Sequence, residues 1–312
     1  MDTLAVVLDG PEQVALRRVE LQPAGGDEVV VEVAFSGIST GTERLMWSGE
    51  MPPFPGMGYP LIPGYEAVGR IVEARGASQG RIGETVFVPG STAFVGARGL
   101  FGGAAQRVVA PSARVVALPE GIEETGVLIA LAATARHAIA AGAAPPDVIV
   151  GHGVLGRLLA RVVIAEGHPA PTVWEIDPAR RSGAEGYRVI DPADDARSDY
   201  RVILDASGAQ GQLDQWIGRL AKGGEVVLAG FYHNPVQFAF PPAFMREVRL
   251  RIAAEWAPQD LAATIVLIRE GRLSLAGLIT HHKAASQAEA AYRTAFSDST
   301  CLKMVLDWSA CA

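Results

Sequence analysis

The chain has 312 residues, about twice the length of an average domain. Hydrophobic residues make up 49% of the chain and charged residues 20%, which favours packed cores and excludes a disordered chain. The net charge of −7, without a basic patch, excludes nucleic acid as a partner, and two cysteines exclude a disulfide scaffold. The most apolar stretch, 127–144, is interrupted by Arg136 and His137, and the amino-terminal segment lacks an export signal. We therefore expect no transmembrane segment and a cytoplasmic location.

The first 120 residues predict an all-β region. Short valine-rich runs such as 28–35 and 84–89 alternate with turn residues, a pattern typical of strands. Glycine and proline cluster in a long loop at 49–64, and a loop of this length is more often functional than idle. The alternative, that the loop is a simple connector, stays open.

After Pro119 the pattern changes to alternating helices and strands. Residues 123–143 have helical character. Apolar runs separated by helix-length segments indicate a mostly parallel sheet that is buried on both faces. The predicted strands lie at 148–151, 172–177, 201–207, 224–231 and 248–254. The tail predicts helices at 261–270 and 287–296 and a closing strand at 301–308.

A glycine-rich motif follows the first strand of this second region. The run VIVGHGVLG places Gly151, Gly153 and Gly156 in G-x-G-x-x-G spacing between an apolar strand and a helical pattern. The first glycine permits a tight turn, the second lets the backbone approach a pyrophosphate, and the third lets helix and strand pack closely. The motif predicts a dinucleotide site. Its members are Gly151, His152, Gly153, Val154, Leu155 and Gly156.

An acidic residue ends the next predicted strand. Asp177 stands 177 − 156 = 21 residues after the last glycine, where a carboxylate can accept hydrogen bonds from ribose hydroxyls and repel a 2′-phosphate. The position favours NAD as cofactor, although Arg180 and Arg181 leave NADP open. Glu175 is a rival on the same strand face, and Asp177 could also be an ordinary turn residue before Pro178. Further cofactor contacts are expected at two other strand ends, from Ser207, Gly208 and Gly230.

Segments along nearly the whole chain resemble the medium-chain dehydrogenase/reductase superfamily. The segments are PGYEAVGRIVEA (63–74), GETVFVP (83–89), GGAAQRVVAP (102–111), LPEGI (118–122), TARHAI (134–139), the glycine motif, KGGEVVLAG (222–230), LITH (278–281) and LKMVL (302–306). The resemblance implies an α/β fold in which a GroES-like β-barrel catalytic domain accompanies a Rossmann domain with a doubly wound parallel sheet. We expect the catalytic domain at 1–130, completed by 259–312, and the Rossmann domain at 131–258. The family places its active cleft between the two domains.

The chain departs from this superfamily where zinc-dependent members bind their catalytic metal. Tyr65 stands where a histidine ligand is usual, Ser39 stands where a cysteine is usual, and the third ligand would fall near Ala130. Neutral hydroxyls and an alanine are poor zinc ligands. We therefore expect no metal site.

Two segments, 33–69 and 94–111, resemble more closely a dehydrogenase family of bacteriochlorophyll biosynthesis. That resemblance implies a bacteriochlorin substrate whose 3-(1-hydroxyethyl) group is oxidised to acetyl. Aromatic and methionine side chains of the 49–64 region could line a wide apolar cleft for a flat macrocycle, or could simply pack the loop. The candidate substrate-binding residues are Trp47, Met51, Phe54 and Tyr59.

Oxidation of a secondary alcohol without a metal needs protein groups that take up the hydroxyl proton. We expect Tyr65 as the main acid/base and Ser39 as its helper, with Thr42 nearby, because a tyrosine hydroxyl has an ordinary pKa near 10. Glu66 and Glu43 could accept the proton onward. By resemblance, Thr134 lies beside the nicotinamide. The alternative is that Tyr65 only fills the space that the metal occupies in relatives.

The same fold is also compatible with two other functions. A zinc-free NADPH-dependent quinone or enoyl reductase is one alternative, against which Asp177 argues. A non-catalytic NAD-binding regulator is another. By family analogy, pairing between edge strands of Rossmann domains predicts a homodimer.

Overall fold

In the computed structural model, which describes residues 1–311, the chain forms two compact units. Unit 1 contains Met1–Ala130 together with the segment from Leu278 onward, and unit 2 contains Leu131–Gly277. The predicted combination of a GroES-like domain and a Rossmann-type α/β domain is confirmed. None of the helices within residues 1–311 is both long and apolar enough to cross a bilayer.

The amino-terminal part of unit 1 is built from short strands and one helix. The strands are β1 (Asp2–Gly10), β2 (Gln13–Glu20), β3 (Glu28–Ile38), β4 (Leu61–Ile62), β5 (Ala67–Ala74), β6 (Thr85–Val88), β7 (Arg98–Gly99), β8 (Arg107–Pro111) and β9 (Val116–Ala117). The helix, α1 (Thr42–Ser48), follows β3 after three residues of irregular chain. It begins the segment that leads into the long glycine- and proline-rich loop.

Unit 2 alternates strands with helices. The helices are α2 (Ile129–Ala140), which begins at the boundary, α3 (Val154–Ala165), α4 (Leu213–Arg219), α5 (Phe240–Arg246) and α6 (Pro258–Arg269). The strands are β10 (Val148–Val150), β11 (Thr172–Trp174), β12 (Arg188–Ile190), β13 (Tyr200–Asp205), β14 (Leu220–Leu228) and β15 (Arg249–Ile252). All neighbouring strands run parallel in the order β12-β11-β10-β13-β14-β15. The order reverses between β10 and β13, where doubly wound sheets bind ligands.

The chain returns to unit 1 at Leu278, later than the expected boundary at residue 259. The difference arises because α6 is anchored inside unit 2. Asp260 forms an ion pair with Arg136 and a hydrogen bond with Nδ1 of His137, both residues of α2, each at 2.7 Å. The buried Arg161 then donates to the carbonyl groups of Ser274 and Ala276 in the segment after α6. These contacts hold residues 259–277 in unit 2.

The returning segment completes the sheet of unit 1. It contains β16 (His281–Ala284), α7 (Ala288–Ser297) and β17 (Met304–Asp307). The long strand β3 pairs with β5 along one edge, while β8 and β17 share the other edge. The four valines of β3 are all buried, on both faces of the strand. Strand β3 therefore lies at the centre of the sheet. The carboxyl end of β3 thereby lies beside β17, and this pairing positions the site of unit 1.

Candidate active site and coenzyme site

The glycine motif of unit 2 connects β10 to α3. Gly151 has a φ of 93°, a left-handed conformation that favours glycine. A Cβ on Gly156 would lie 1.9 Å from the carbonyl oxygen of Gly151, so helix and loop can approach only without a side chain there. A Cβ on Gly153 would meet nothing within 4 Å. The open space above Gly153, at the amino end of a 12-residue helix, fits a pyrophosphate.

Glu175 connects the glycine motif to the end of β11. Its carboxylate accepts one hydrogen bond from the backbone N–H of His152 at 2.8 Å and another from the N–H of Asp177 at 2.9 Å. The side chain is buried, so both oxygens are used within the protein. Each oxygen of Glu175 therefore already accepts one hydrogen bond inside the protein, which favours Asp177 over it as the acid for ribose hydroxyls. Asp177 remains half-buried, and its Oδ1 accepts from the N–H of Ala179, as a turn aspartate does.

The structure changes the part expected of His152. His152 is a member of the predicted dinucleotide site, but its backbone N–H donates to Glu175. Its imidazole is fully buried, with Nδ1 at 2.6 Å from the carbonyl oxygen of Arg180 and Nε2 at 2.8 Å from the hydroxyl of Tyr187. Burial lowers the pKa of His152 to about 4, which keeps the ring neutral. His152 thus fixes residues 180–187 against the glycine motif, and the α3 residues Val154 and Leu155 supply the neighbouring first-turn N–H groups.

A second buried acid, which the sequence analysis did not select, organises the other two strand ends. Asp205, at the end of β13, accepts from the N–H groups of Ser207 and Gly208, both at 3.0 Å, and from the hydroxyl of Tyr232. A Cβ on Gly230 would lie 2.5 Å from the N atom of Gly208. The three expected cofactor residues therefore adjoin one another around Asp205. The only sequence signal for this role of Asp205 was its position at the end of an apolar strand.

In unit 1 the two hydroxyls that replace metal ligands are brought together. Tyr65 donates a hydrogen bond of 2.7 Å to the Oγ of Ser39, and the side chain of Thr42 lies close enough to oppose the rise in the pKa of Tyr65. The ring of Tyr65 packs edge-on against Phe101, with centroids 5.1 Å apart. Burial, reinforced by the negative charge of Glu66, raises the pKa of Tyr65 far above its ordinary value. The raised pKa disfavours the phenolate form, and the acid/base role of Tyr65 stays a prediction.

Glu66 is engaged in a buried ion pair instead of facing a proton donor. The Nζ of Lys303, on the segment leading into β17, lies 2.6 Å and 2.9 Å from the two carboxylate oxygens of Glu66. The same Nζ donates to the carbonyl oxygen of Ile38 at 3.2 Å, and both charged side chains are completely buried. A Cβ on Gly37 would lie 2.2 Å from a Glu66 oxygen, so glycine makes room for the pair. These contacts do not support Glu66 as an onward proton acceptor.

Glu43 lies close to the same hydroxyls. Its carboxylate accepts from the N–H of Ser39 at 3.0 Å and from the hydroxyl of Tyr292, on α7, at 2.7 Å. The side chain is completely buried, and burial raises the pKa of Glu43 to about 7 against the opposing effect of the two hydrogen bonds. Unit 1 therefore holds one paired and one unpaired carboxylate behind the Ser39–Tyr65 pair.

The candidate substrate residues line the start of the long loop. Met51 is almost fully buried in the core of unit 1, so its side chain packs the loop in this structure. Trp47, Phe54 and Tyr59 are half-buried against the same core. The Trp47 ring packs against Phe296 with centroids 5.3 Å apart, and the hydroxyl of Tyr59 donates to the carbonyl of Met46. Thr134 lies elsewhere, half-buried on α2 in unit 2.

Comparison with known proteins decides the family. Residues 25–120 match the alcohol dehydrogenase GroES-like domain. The chain is 57% identical to the 2-desacetyl-2-hydroxyethyl bacteriochlorophyllide A dehydrogenase of Rhodobacter capsulatus, over 99% of each protein. It is 58% identical to the enzyme of the same name from Cereibacter sphaeroides, over all of both chains. The chain belongs to the medium-chain dehydrogenase/reductase superfamily.

This medium-chain dehydrogenase/reductase is an oxidoreductase that acts on a CH–OH group. Its fold also matches a solved structure, a short chain alcohol dehydrogenase from Escherichia coli CFT073 complexed with NADH. The TM-score is 0.84 at 20% identity, with 98% of this chain and 99% of the other covered. At that identity the likeness shows the fold alone, and the resemblance drawn from sequence motifs is confirmed.

Zinc-dependent members of this superfamily bind their metal at positions that Ser39, Tyr65 and Ala130 occupy in this chain. The residues at two of the ligand positions, Ser39 and Tyr65, offer neutral hydroxyls that hydrogen-bond to each other, and the third position is Ala130. Zinc prefers thiolate, imidazole and carboxylate ligands. Across residues 1–311, no group of three or more histidine, cysteine, aspartate or glutamate side chains is arranged to hold an ion. The residues at this position do not fit zinc.

Proposed function

We propose that this dehydrogenase oxidises the 3-(1-hydroxyethyl) group of a bacteriochlorophyllide to a 3-acetyl group, with NAD and without zinc. The names of the two relatives that are 57% and 58% identical over the full length support the substrate. The observation that carries the metal-free chemistry is the Tyr65–Ser39 hydrogen bond at the position where relatives bind zinc. The alcohol carbon loses a hydride and its oxygen loses a proton, so one ketone, one reduced coenzyme and one proton are formed.

The proton follows a relay of neutral hydroxyls. Because the pKa of Tyr65 is raised, a phenolate is not the base. The substrate hydroxyl instead passes its proton to the oxygen of Tyr65 while Tyr65 passes its own proton to Ser39 and Ser39 releases its hydroxyl proton to a solvent water. The hydroxyl of Thr42 stabilises the Tyr65 oxygen, and the released proton ends in solvent. Concerted transfer avoids the cost of forming a full charge in a buried site.

The coenzyme accepts the hydride when it is bound. Gly153, with open space above it, would accommodate the pyrophosphate, and Asp177 would accept hydrogen bonds from the adenosine ribose. The loop around Asp205, with Ser207, Gly208 and Gly230, would complete the cradle at the neighbouring strand ends, and by family analogy Thr134 would adjoin the nicotinamide. In parallel titrations, NAD⁺ should bind at least tenfold more tightly than NADP⁺, about 1.4 kcal/mol. Equal affinities would remove Asp177 as the selecting acid.

The macrocycle would lie against the exposed faces of Trp47, Phe54 and Tyr59, because half-buried aromatic rings offer flat apolar surface. Met51 supports this surface from below and does not contact the substrate.

Tyr65→Phe tests the mechanism. The substitution keeps the ring against Phe101 and removes only the hydroxyl, and kcat should fall at least a hundredfold, about 2.7 kcal/mol of barrier. Formation of the ring-conjugated acetyl group shifts the long-wavelength absorbance of the pigment to the red, which provides the assay. Tyr200→Phe is a matched control, because Tyr200 is buried in unit 2 and donates to Asp195. Turnover of Tyr65→Phe within about threefold of wild type, or stoichiometric zinc in the purified protein, would refute the mechanism.

The same proposal includes a homodimer. Strand β15 is the last in the sheet order of unit 2, and its Leu250 and Ile252 are exposed. The neighbouring α5 exposes Phe240 and Phe244. An edge strand that exposes apolar side chains favours pairing with another strand, here β15 of a second copy. Sedimentation equilibrium should give a dimer for wild type and a monomer for Ile252→Lys, whereas a monomeric wild type would exclude this assembly.

A further inference from the structure

Glu43 lies behind the hydroxyl pair and takes no part in the proposed relay. It is completely buried and accepts hydrogen bonds from two groups that are far apart in the chain. One is the backbone N–H of Ser39, at 3.0 Å, and the other is the hydroxyl of Tyr292, at 2.7 Å. Such a buried carboxylate is costly unless its hydrogen bonds are satisfied. A specific function would explain why it is retained.

We propose that Glu43 is a positioning residue, which Tyr292 holds in place so that it fixes Ser39 for the hydrogen bond from Tyr65. The inference rests on the proposed function, because it assigns a role only if the hydroxyl pair carries the proton. Glu43 touches neither the substrate nor the coenzyme. It acts on the reaction through the backbone of Ser39.

The local structure explains why Ser39 needs this support. Ser39 follows the end of β3, and residues 39–41 belong to no strand or helix. Gly41, at the start of α1, provides no side-chain cap. The carboxylate of Glu43, in the first turn of α1, reaches back four residues to the N–H of Ser39. A side chain that bonds to the backbone in this way restricts the orientation of the residue that donates.

Tyr292 makes this restraint independent of the loop itself. It lies on α7, in the returning segment, with no exposed surface, and its ring packs edge-on against Phe296. A residue in a packed helix is a rigid anchor, whereas a loop residue would move together with Ser39. The hydrogen bond from Tyr292 therefore fixes the Glu43 carboxylate relative to α7, and the carboxylate in turn fixes the backbone of Ser39.

The charge of Glu43 determines whether the restraint is complete. An ionised carboxylate accepts both hydrogen bonds, but a protonated one has a hydroxyl that no longer accepts in the same way. The charged and titratable groups that act on Glu43 are Tyr292, Tyr65, and the Glu66–Lys303 pair. Burial raises the pKa of Glu43 to about 7, and the bond from Tyr292 opposes that rise. We therefore expect the restraint to weaken as the pH falls below about 7.

The test compares pH profiles of kcat for wild type, Tyr292→Phe, Glu43→Gln and Glu43→Ala. Tyr292→Phe removes a donor that lowers the pKa of Glu43, so kcat should fall about tenfold and the acidic limb should move to higher pH. Glu43→Gln keeps a carbonyl for Ser39 but does not titrate, so kcat should stay within about threefold of wild type and the acidic limb should flatten. Glu43→Ala should lose at least as much activity as Tyr292→Phe.

Two controls separate positioning from general damage. Ser36→Ala removes a different buried hydrogen bond, from Trp308 at 2.9 Å to a residue of the preceding strand β3, and should keep the wild-type pH profile. The affinity for NAD⁺ should be unchanged in every variant, because the glycine motif lies in unit 2.

The outcomes distinguish this inference from the proposed function. If Tyr65→Phe is inactive while Tyr292→Phe and Glu43→Ala keep the wild-type kcat and pH profile, Glu43 has no positioning role and the proposed function stands. If Tyr65→Phe is fully active, both fail. Should Glu43→Ala not fold, Tyr292→Phe and Glu43→Gln decide the question, and an unshifted acidic limb in both refutes the inference.

Discussion

Removing Lys303 should destabilise unit 1 more than any comparable change at the surface. Lys303 and Glu66 are both fully buried, and Nζ lies 2.6 Å and 2.9 Å from the carboxylate oxygens. Deleting one partner of a buried pair leaves an uncompensated charge, which costs about 3–5 kcal/mol. Because 1.4 kcal/mol is tenfold in an equilibrium constant, Lys303→Met should shift the folding equilibrium more than about a hundredfold.

The loss of folding free energy in Lys303→Met should increase as the pH rises. Burial already raises the pKa of Glu66, and loss of Lys303 would raise it further. A carboxyl whose pKa is higher in the folded than in the unfolded state favours folding at low pH, and this contribution disappears as the pH rises. Lys303→Met should therefore be least destabilised in acid and most destabilised at neutral pH and above.

Urea denaturation followed by circular dichroism measures the free energy, and hydrogen exchange of peptides from β3 and β17 localises the loss to unit 1. Glu66→Leu combined with Lys303→Met should recover most of the stability, since an apolar pair of similar volume replaces the charges. Lys222→Met is the matched control, because Lys222 pairs with Glu247 at 2.9 Å on the surface and should cost under about 1 kcal/mol. A loss below about 1 kcal/mol for Lys303→Met, or no recovery in the double variant, would refute the reasoning.

Two further predictions concern unit 2. Gly153→Ala should leave the thermal stability unchanged but weaken NAD⁺ binding at least tenfold, about 1.4 kcal/mol, whereas Gly156→Ala should lower the melting temperature because its Cβ would lie 1.9 Å from a carbonyl oxygen. If both variants changed the NAD⁺ affinity and the melting temperature to the same extent, the assignment of binding to Gly153 and of stability to Gly156 would be contradicted. His152 has a pKa of about 4 when folded and near 6.5 when unfolded, so folding stability should fall as the pH drops from 6.5 to 4. In urea titrations across that range His152→Gln should lose less stability than wild type, and an identical slope would exclude His152 as the cause.

Much of the fold could be predicted because its signals are local. The glycine motif stands between a strand and a helix in the sequence and in the structure. Strands β2 and β12 are among those that the sequence analysis did not identify. Strand β2 is only partly buried, and β12 has three residues at the edge of its sheet, so neither shows the apolar run that marks a buried strand.

The roles of the acidic residues could not be predicted, because they depend on groups brought close by folding. Asp177 and Glu175 look equivalent on one strand face, and only the hydrogen bonds of Glu175 to two backbone N–H groups separate them. Asp205 gains its role from Tyr232, which lies on the next loop along the sheet. Glu66 pairs with Lys303, which stands 237 positions further along the chain. A single sequence names the residue types but not these partners.

Tyr65 shows most directly why chemistry cannot be assigned from residue type alone. An exposed tyrosine titrates near pH 10, which made an ordinary acid/base role reasonable. In the folded chain burial and the charge of Glu66 both oppose the phenolate, so in the proposed relay Tyr65 gives up one proton as it takes another. That relay needs Ser39 as an acceptor at 2.7 Å, and any group that fixes Ser39 would contribute to it. The environment that makes Tyr65 a poor acid thereby makes the geometry of its neighbour decisive.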